Sequence, residues 1–156
     1  MKASPDGWIS CVQRFAAPTA GDEGVRFQCI AVIQHAIKTR YAALQPERVG
    51  LLKATLSGWM ESVIARGVAE PNYIKNKVAQ LFVLIFVNEF PERWPTFFKD
   101  ISRFLATGGA AAMDFYLRVL EAVDEVVVYR EMARSQAEAA RNAVIKDAMY
   151  ASCSLP

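Results

Sequence analysis

Three acidic residues occur in one predicted helix at a spacing that could support acid–base chemistry. Glu121, Asp124 and Glu125 follow one another at i, i+3 and i+4, so a helix presents them on one face. Paired carboxylates at such a face could transfer protons to and from a substrate. The same spacing is also typical of a solvated helix face, and that is the interpretation we favour.

Other residue types that perform catalysis lack the partners that they need. His35 is the only histidine, and it stands close to Lys38 and Arg40 near the end of a predicted helix. No cysteine or serine has a histidine at motif spacing. The pair Gly108-Gly109 is not followed by the Gly-Lys-Ser/Thr of a phosphate-binding loop. We therefore predict a protein that is not an enzyme and that uses no cofactor and no metal.

The cysteines indicate a reducing compartment. Cys11, Cys29 and Cys153 are odd in number and widely spaced, so they match neither a disulfide framework nor a zinc site. The first residues, MKASPDGW, contain no apolar region of the kind found in secretory signals. We expect reduced thiols in the nucleus or the cytoplasm.

The composition lacks the polybasic signature of a domain that binds nucleic acid through its phosphates. The 156 residues fit one compact domain, 53% of them are hydrophobic, and the mean hydropathy is +0.14. The net charge is only +2, whereas binding through phosphate contacts favours a dense basic stripe. The longest apolar run, Leu81 to Val87, is far shorter than the ~20 residues of a membrane span. We expect no membrane insertion.

Residues 71–106 form the motif around which the chain is organised. The apolar run from Leu81 to Val87 continues a helical pattern that begins at Ile74, and a helix that is apolar all round must be buried. A turn at 88–91 follows, and a second amphipathic stripe begins at Trp94. A buried strand over 81–87 is the competing interpretation, because the run is short and rich in β-branched residues.

Helical periodicity and stop signals predict seven helices. Their predicted ranges are 5–16, 23–42, 46–66, 72–88, 91–106, 111–129 and 135–150. Pro95 is expected to place a turn or a kink before the main part of the fifth helix. The predicted inward residues share helical spacing and are Trp8, Ile9, Val12, Phe15, Val25, Cys29, Val32, Ile33, Ile37, Val49, Leu52, Leu56, Trp59, Met60, Val63, Trp94, Phe97, Phe98, Ile101, Leu105, Met113, Leu117, Leu120, Val123, Ala137, Ala140, Val144, Ile145, Ala148 and Met149.

The spacing of the helices predicts a repeat architecture. Paired helices begin near residues 22, 71 and 110, a pitch of about 40–50 residues that fits HEAT-type hairpins. The fold class expected for residues 1–156 is all-α, a right-handed α–α superhelix of about seven helices. The first helix has no partner before it, so we expect a truncated solenoid whose first helix pair is incomplete. A self-contained seven-helix domain is the alternative.

The central motif resembles a known family. IKNKVAQLFVLIFVNEFPERWPTFFKDI, from Ile74 to Ile101, is similar to the N-terminal segment of nuclear exportins of the importin-β superfamily. The stretches DFYLRVLEAVDEVVVYRE, from Asp114, and RNAVIKDAM, from Arg141, resemble the branch that exports tRNA. Residues 4–66 match more loosely. The resemblance implies a transport receptor that shuttles between nucleus and cytoplasm and performs no catalysis.

The family resemblance also implies partners. N-terminal HEAT repeats of such receptors bind the small GTPase Ran in its GTP form, and the long superhelix encloses tRNA cargo and contacts nuclear pore proteins. In this chain we expect part of the Ran surface, with weak or absent tRNA binding. Motif positions Pro91, Trp94, Pro95 and Phe98 match the family and are interpreted as structural.

A candidate partner surface follows from the repeat geometry. The second helices of the pairs line a concave face, and their outward polar residues carry both signs of charge, which suits protein recognition. The candidate residues are Lys53, Ser57, Glu61, Thr96, Lys99, Asp100, Arg103, Arg141 and Lys146. Solvation alone is the alternative for each residue. Whole-chain alternatives are a helical scaffold or adaptor that binds a protein partner, an inactive truncated exportin fragment, and a helical enzyme that uses Glu121, Asp124 or His35.

Overall fold

A computed structural model describes residues 6–17, 22–106, 108–128 and 135–153. These residues contain seven α-helices and no β-strand. The helices are α1 (Gly7–Ala16), α2 (Glu23–Arg40), α3 (Pro46–Met60), α4 (Asn72–Glu89), α5 (Phe97–Ser102), α6 (Gly109–Val123) and α7 (Gln136–Cys153). None of these described helices has the length and apolarity that crossing a membrane requires.

Local signals account for some of the helix ends. Pro46 occupies the first position of α3, where its missing N–H costs nothing. Ser135 and Glu138 form the predicted capping box, because each backbone N–H donates to the other's side chain, at 3.0 and 3.2 Å. Gly67 adopts a φ of 69° after α3, as a helix stop requires. The predicted start at Ser4 and the loop at 18–21 lie outside the described residues.

Irregular helical turns extend four of the helices, and the one after α5 is a 3₁₀ turn at Arg103–Ala106. A 3₁₀ turn at Tyr41–Ala43 follows α2, while α3 and α6 continue as π-type turns at Glu61–Ala65 and Asp124–Val128. These turns account for the predicted ranges 23–42 and 46–66. The sixth range, 111–129, begins instead at Gly109, and its last predicted residue is outside the described part.

The helices pack as an all-α repeat fragment. α2, α4 and α6 contact one another in sequence, with α4 in the middle, while α1 packs on α2 and α3. α7 packs on α4 and on the turn after α6. The apolar interior of α4 is therefore covered on several sides, and Ile74, Val78, Leu81 and Ile85 are fully buried. The helix interpretation of residues 72–88 is confirmed, and the strand alternative is wrong.

The predicted inward orientation of two residues of α2 is wrong. Val25 and Val32 are 47% and 44% exposed, whereas Arg26 and Gln34 are buried. Arg26 is buried because a carboxylate neutralises its charge, and the Gln34 amide donates to Gln80 Oε1 at 3.1 Å on α4. Hydrophobic periodicity cannot detect polar side chains that carry their partners into the core.

The inward faces of α6 and α7 also differ from the prediction. Met113, Leu117 and Val144 are exposed at 49%, 55% and 59%. Phe115 and Val119 fill the core side of α6 instead, since this orientation places the larger aromatic ring against Phe82 of α4. Ala137 and Ala140 are exposed as well.

Asn142 accounts for the rotation of α7. It is buried and donates its amide to the Val126 carbonyl oxygen at 3.0 Å, which satisfies a polar group at the end of α6. Ile145 next to it is buried as predicted, and Ala148 and Met149 are partly buried.

The fifth helix, predicted over 91–106, begins later than expected, and its predicted end is confirmed because a 3₁₀ turn continues it to Ala106. Residues 91–96 form turns that follow a cis Phe90–Pro91 peptide bond, and α5 begins only at Phe97. The expected turn before the main helix at Pro95 is confirmed. Phe97 and Ile101 are buried, while Trp94, Phe98 and Leu105 are only partly buried against the core.

Gly108 allows close packing where α6 begins. A Cβ atom at this position would lie 2.3 Å from Ile64 Cγ2 and 2.8 Å from the Phe104 carbonyl oxygen. The following Gly109 has a φ of 58°, a conformation that side-chain-bearing residues rarely adopt. The glycine pair that was predicted to end the fifth helix therefore also starts α6 against the end of α3.

Candidate functional site

A buried ion pair fixes the segment that leads into α4. Arg26 of α2 donates two hydrogen bonds to the Glu70 carboxylate, at 2.7 and 2.8 Å. Trp59 of α3 donates its indole N–H to the same carboxylate at 2.7 Å. Both charged side chains are at most 9% exposed. One carboxylate thus joins α2, α3 and the 66–71 connection, and bidentate geometry makes the pair specific.

A second buried carboxylate holds the turn after α4. Glu89 is 7% exposed, and its Oε1 accepts a hydrogen bond from the Tyr41 hydroxyl at 2.6 Å. Its Oε2 forms an ion pair with Lys53 Nζ on α3. The Arg93 guanidinium lies 5.6 Å from the centre of the Tyr41 ring. The glutamate of the motif therefore connects the end of α2 to α3 and to the turn.

Tyr41 should give this cluster a measurable pH dependence. Burial, and then the hydrogen bond to Glu89, raise the pKa of Tyr41 well above its usual value of 10. Above about pH 10 the unfolded chain loses the phenolic proton while the folded chain keeps it, so stability falls as pH rises, by at most about 1.4 kcal/mol per pH unit. Urea unfolding from about pH 9 to pH 11 should therefore show a shallower decline for Tyr41→Phe.

Tyr150→Phe is the matched control for that experiment, because the Tyr150 side chain is 75% exposed. It should decline with pH as steeply as the unmodified chain. An identical decline in all three proteins would show that the Tyr41 proton is not held by Glu89.

The cluster continues into the predicted partner surface. Lys53 Nζ lies 4.7 Å above the Trp94 ring, a cation–π arrangement. The Trp94 indole N–H donates to Asp100 Oδ2 at 2.8 Å, and the Thr96 hydroxyl donates to the same atom at 2.9 Å. Lys53, Thr96 and Asp100 thus belong to one connected group. Arg103 Nη2 lies 3.4 Å from the other Asp100 oxygen.

The predicted partner residues belong to two sets of helices. We call the first the α3–α5 surface, and its members are Lys53, Ser57, Glu61, Thr96, Lys99, Asp100 and Arg103. Arg141 and Lys146 lie apart from it on α7, where both are half-buried. The Arg141 guanidinium donates to its neighbour Asn142 at 3.3 Å.

Within the α3–α5 surface the side chains differ in accessibility. Thr96, Lys99 and Arg103 are exposed on α5 and beside it. Ser57 is exposed on α3, and Glu61 is exposed at the start of the π-type turn that follows α3. Lys53 and Asp100 are half-buried, because each is held by the contacts to Glu89 or Trp94 described above. Lys53 and Asp100 are therefore held by internal contacts, and the other five residues of the surface are exposed.

Aromatic packing supports the α5 side of this surface. The Phe86 ring lies 4.4 Å from the Phe97 ring centre and 4.8 Å from that of Phe90. Phe98 meets Phe86 edge-on at 5.4 Å, and Trp94 meets Phe97 edge-on at 5.1 Å. Pro91 is half-buried and Pro95 is exposed.

A further polar group, which the sequence did not indicate, holds α6 against α4. Arg118 donates to Asp114 at 2.9 Å within α6 and to Asn72 at 3.1 Å and Asn76 at the start of α4. The hydrogen bonds from Arg118 keep the pKa of Asp114 below its usual range. The spacing of Asp114 and Arg118 at i and i+4 was the one available signal.

The residues first considered for catalysis are not brought together. Glu121, Asp124 and Glu125 are exposed on α6 and the turn after it, and His35 is exposed on α2. Among the described residues, no three His, Cys, Asp or Glu side chains form a group that could hold a metal ion.

Comparison with known proteins places this arrangement in a family. The family model for exportin 1-like proteins matches residues 71–155, which include α4, the turn held by Glu89, and α5 to α7. The chain belongs to the exportin 1-like family. These proteins are nuclear transport receptors. The match contains the whole 71–106 motif, so the resemblance drawn from Ile74 to Ile101 is confirmed.

The exportin 1-like chain is similar to named relatives along nearly all of its length. It is 37% identical to human exportin-T over 98% of the chain and 16% of that protein. It is 36% identical to exportin-T of Dictyostelium discoideum over 96% of the chain and 13% of that protein. The chain thus spans only about an eighth to a sixth of the length of these relatives. No solved structure matches it.

Proposed function

We propose that this chain serves tRNA export from nucleus to cytoplasm by providing part of a surface for Ran in its GTP form. The observation that carries the proposal is its similarity to exportin-T together with the match of residues 71–155 to the exportin 1-like family. In this proposal the chain shuttles between nucleus and cytoplasm and catalyses no reaction itself. The bound nucleotide belongs to Ran, so the chain needs no cofactor.

The α3–α5 surface is the part of the molecule that we assign to Ran. Its exposed residues carry both signs of charge, with Lys99 and Arg103 on one helix and Glu61 on the other. Mixed charge at a solvent-accessible rim favours protein recognition and rapid association. Buried contacts at Lys53 and Asp100 hold the backbone of this surface in place, which lowers the entropic cost of binding.

Cargo and pore contacts belong to the complete receptor in this proposal. A net charge of +2 over 156 residues gives little attraction for a polyanion, so tRNA binding by this chain alone is expected to be weak or absent. Nuclear pore proteins are the third class of proposed partner. Arg141 and Lys146 on α7 are the candidates for contacts outside the α3–α5 surface.

Reversing the exposed α5 charges should weaken Ran binding. Lys99→Glu combined with Arg103→Glu removes both cations while leaving the buried residues unchanged, and we expect the affinity for GTP-loaded Ran to fall by about tenfold or more, which corresponds to about 1.4 kcal/mol. The measurement is titration of the purified chain with Ran that carries a non-hydrolysable GTP analogue. GDP-loaded Ran should bind neither protein.

The control carries the same charge change elsewhere. Lys38→Glu with Arg40→Glu alters two exposed cations at the end of α2, which is not part of the α3–α5 surface. Equal weakening by both double variants would assign the effect to net charge and contradict the α3–α5 surface. Binding of the unmodified chain to tRNA but not to Ran would overturn the proposed function itself.

A further inference from the structure

The packing of α1 on α2 brings two cysteines to the same level. The Arg26 guanidinium of α2 lies 5.0 Å from the centre of the Phe15 ring of α1. The two helices are joined by a short connection and run antiparallel, as their close mutual packing requires. Cys11 precedes Phe15 by four residues, and Cys29 follows Arg26 by three. Since a helical turn contains about 3.6 residues, both cysteines lie one turn beyond that contact, on the same helix faces.

Both side chains lie on the inward side of this hairpin. Cys29 is 8% exposed and belongs to the core, and Cys11 is half-buried against it next to Val12. Two cysteines at the same level on packed helices can be joined with little movement of the backbone when their Cα atoms lie within about 7 Å of each other.

We propose that Cys11 and Cys29 form a redox modification site, a reversible disulfide within the chain that locks α1 onto α2. The oxidant is a small disulfide such as oxidised glutathione. The Cys11 thiolate attacks it, a mixed disulfide forms, and one reduced glutathione leaves. The Cys29 thiolate then attacks the Cys11 sulfur and releases the second glutathione. The chain loses two protons and two electrons, and one oxidised glutathione becomes two reduced molecules.

The environment of the two cysteines makes formation of the disulfide slow. Burial and the neighbouring Cys29 thiol raise the pKa of Cys11, so the reactive thiolate is scarce at neutral pH. A reducing compartment therefore keeps the pair as thiols, and sustained oxidation converts the two thiols to the disulfide. Once formed, the bond restricts the unfolded chain and keeps Trp8 and Phe15 of α1 docked in the core.

The experiment uses the full chain with Cys153→Ser, so that the only thiols are Cys11 and Cys29. The folded protein is incubated with oxidised glutathione, alkylated, and analysed by intact mass and by peptide mapping without reduction. We expect an unalkylated product about 2 Da lighter than the reduced chain, with one peptide pair linked through the two cysteines. Its melting temperature should rise, and dithiothreitol should reverse both changes.

The variant Cys11→Ser in the same background is the matched control, and it should show neither the mass loss nor the higher melting temperature. A stable glutathione adduct on Cys11 without loss of the second thiol would overturn the proposal, because it would place Cys29 out of reach. Disulfides that join two chains would overturn it as well. So would complete alkylation of both thiols after prolonged oxidation of the folded chain.

Discussion

Glu70→Ala is expected to lower the free energy of unfolding by about 3–5 kcal/mol, the usual cost of removing one member of a buried ion pair. The substitution leaves the Arg26 guanidinium buried without its counter-charge, and it deprives the Trp59 indole N–H of its acceptor. Because these groups belong to α2 and α3, the loss should affect cooperative unfolding of the whole helical array. Urea denaturation followed by circular dichroism measures it.

Two comparisons separate this effect from a general response to mutation. Glu61→Ala removes an exposed carboxylate that lies 3.6 Å from Arg66, and it should cost about 0–1 kcal/mol. The double variant Arg26→Met with Glu70→Gln removes both charges and keeps an acceptor for Trp59, so it should be more stable than Glu70→Ala alone. A double variant as unstable as the single one would show that the pair contributes shape rather than charge neutralisation.

Sequence reasoning located the central helix and its turn well because several signals agreed there. The run from Leu81 to Val87 is apolar on every side, so any rotation of α4 buries the same kind of surface. Pro91 and Pro95 then interrupt the pattern and set the start of α5 near Phe97. Local propensity and burial point to the same answer in this segment, and the structure confirms it.

The same reasoning failed where a helix offers more than one apolar face. α6 carries Met113 and Leu117 on one side and Phe115 and Val119 on another, so periodicity alone gives two acceptable orientations. Contacts with α4 decide between them, and those contacts depend on residues far along the chain. Helix existence was therefore predictable in α6, and helix rotation was not.

Buried charge was the other source of error. Arg26 and Glu70 are 44 residues apart in sequence, and Tyr41 and Glu89 are 48 apart. Charged residues are rarely buried unless paired. Arg26, Glu70 and Glu89 are therefore predicted to be surface residues until their partners are known. The candidate partner surface had the same problem, since sequence spacing could place Lys53 and Asp100 on an outward face but could not show that each is held by internal contacts.

Phe86→Ala should be the most destabilising single truncation in the aromatic cluster, with an expected loss of about 3–5 kcal/mol. Phe86 is fully buried, and its ring contacts those of Phe90, Phe97 and Phe98 within 5.4 Å. Truncation leaves a cavity where α4 meets α5, and the short α5 has few other contacts with which to collapse around it. Denaturant unfolding monitored by tryptophan fluorescence measures the loss, because Trp94 lies beside Phe97.

Trp94→Ala provides the discriminating comparison. From the sequence alone Trp94 belongs to the core stripe and should cost as much as any aromatic residue. In the structure it is only partly buried, and much of its contact is with Lys53 and Asp100. Trp94→Ala should therefore destabilise the chain less than Phe86→Ala and weaken Ran binding more, since the Trp94 side chain supports the α3–α5 surface.

Phe86→Leu, which preserves most of the side-chain volume, should stay folded and lose less stability than Phe86→Ala. Equal losses of stability for Phe86→Ala and Trp94→Ala would show that Trp94 belongs to the core as fully as Phe86 does. That result would contradict the assignment of Trp94 to the support of the α3–α5 surface.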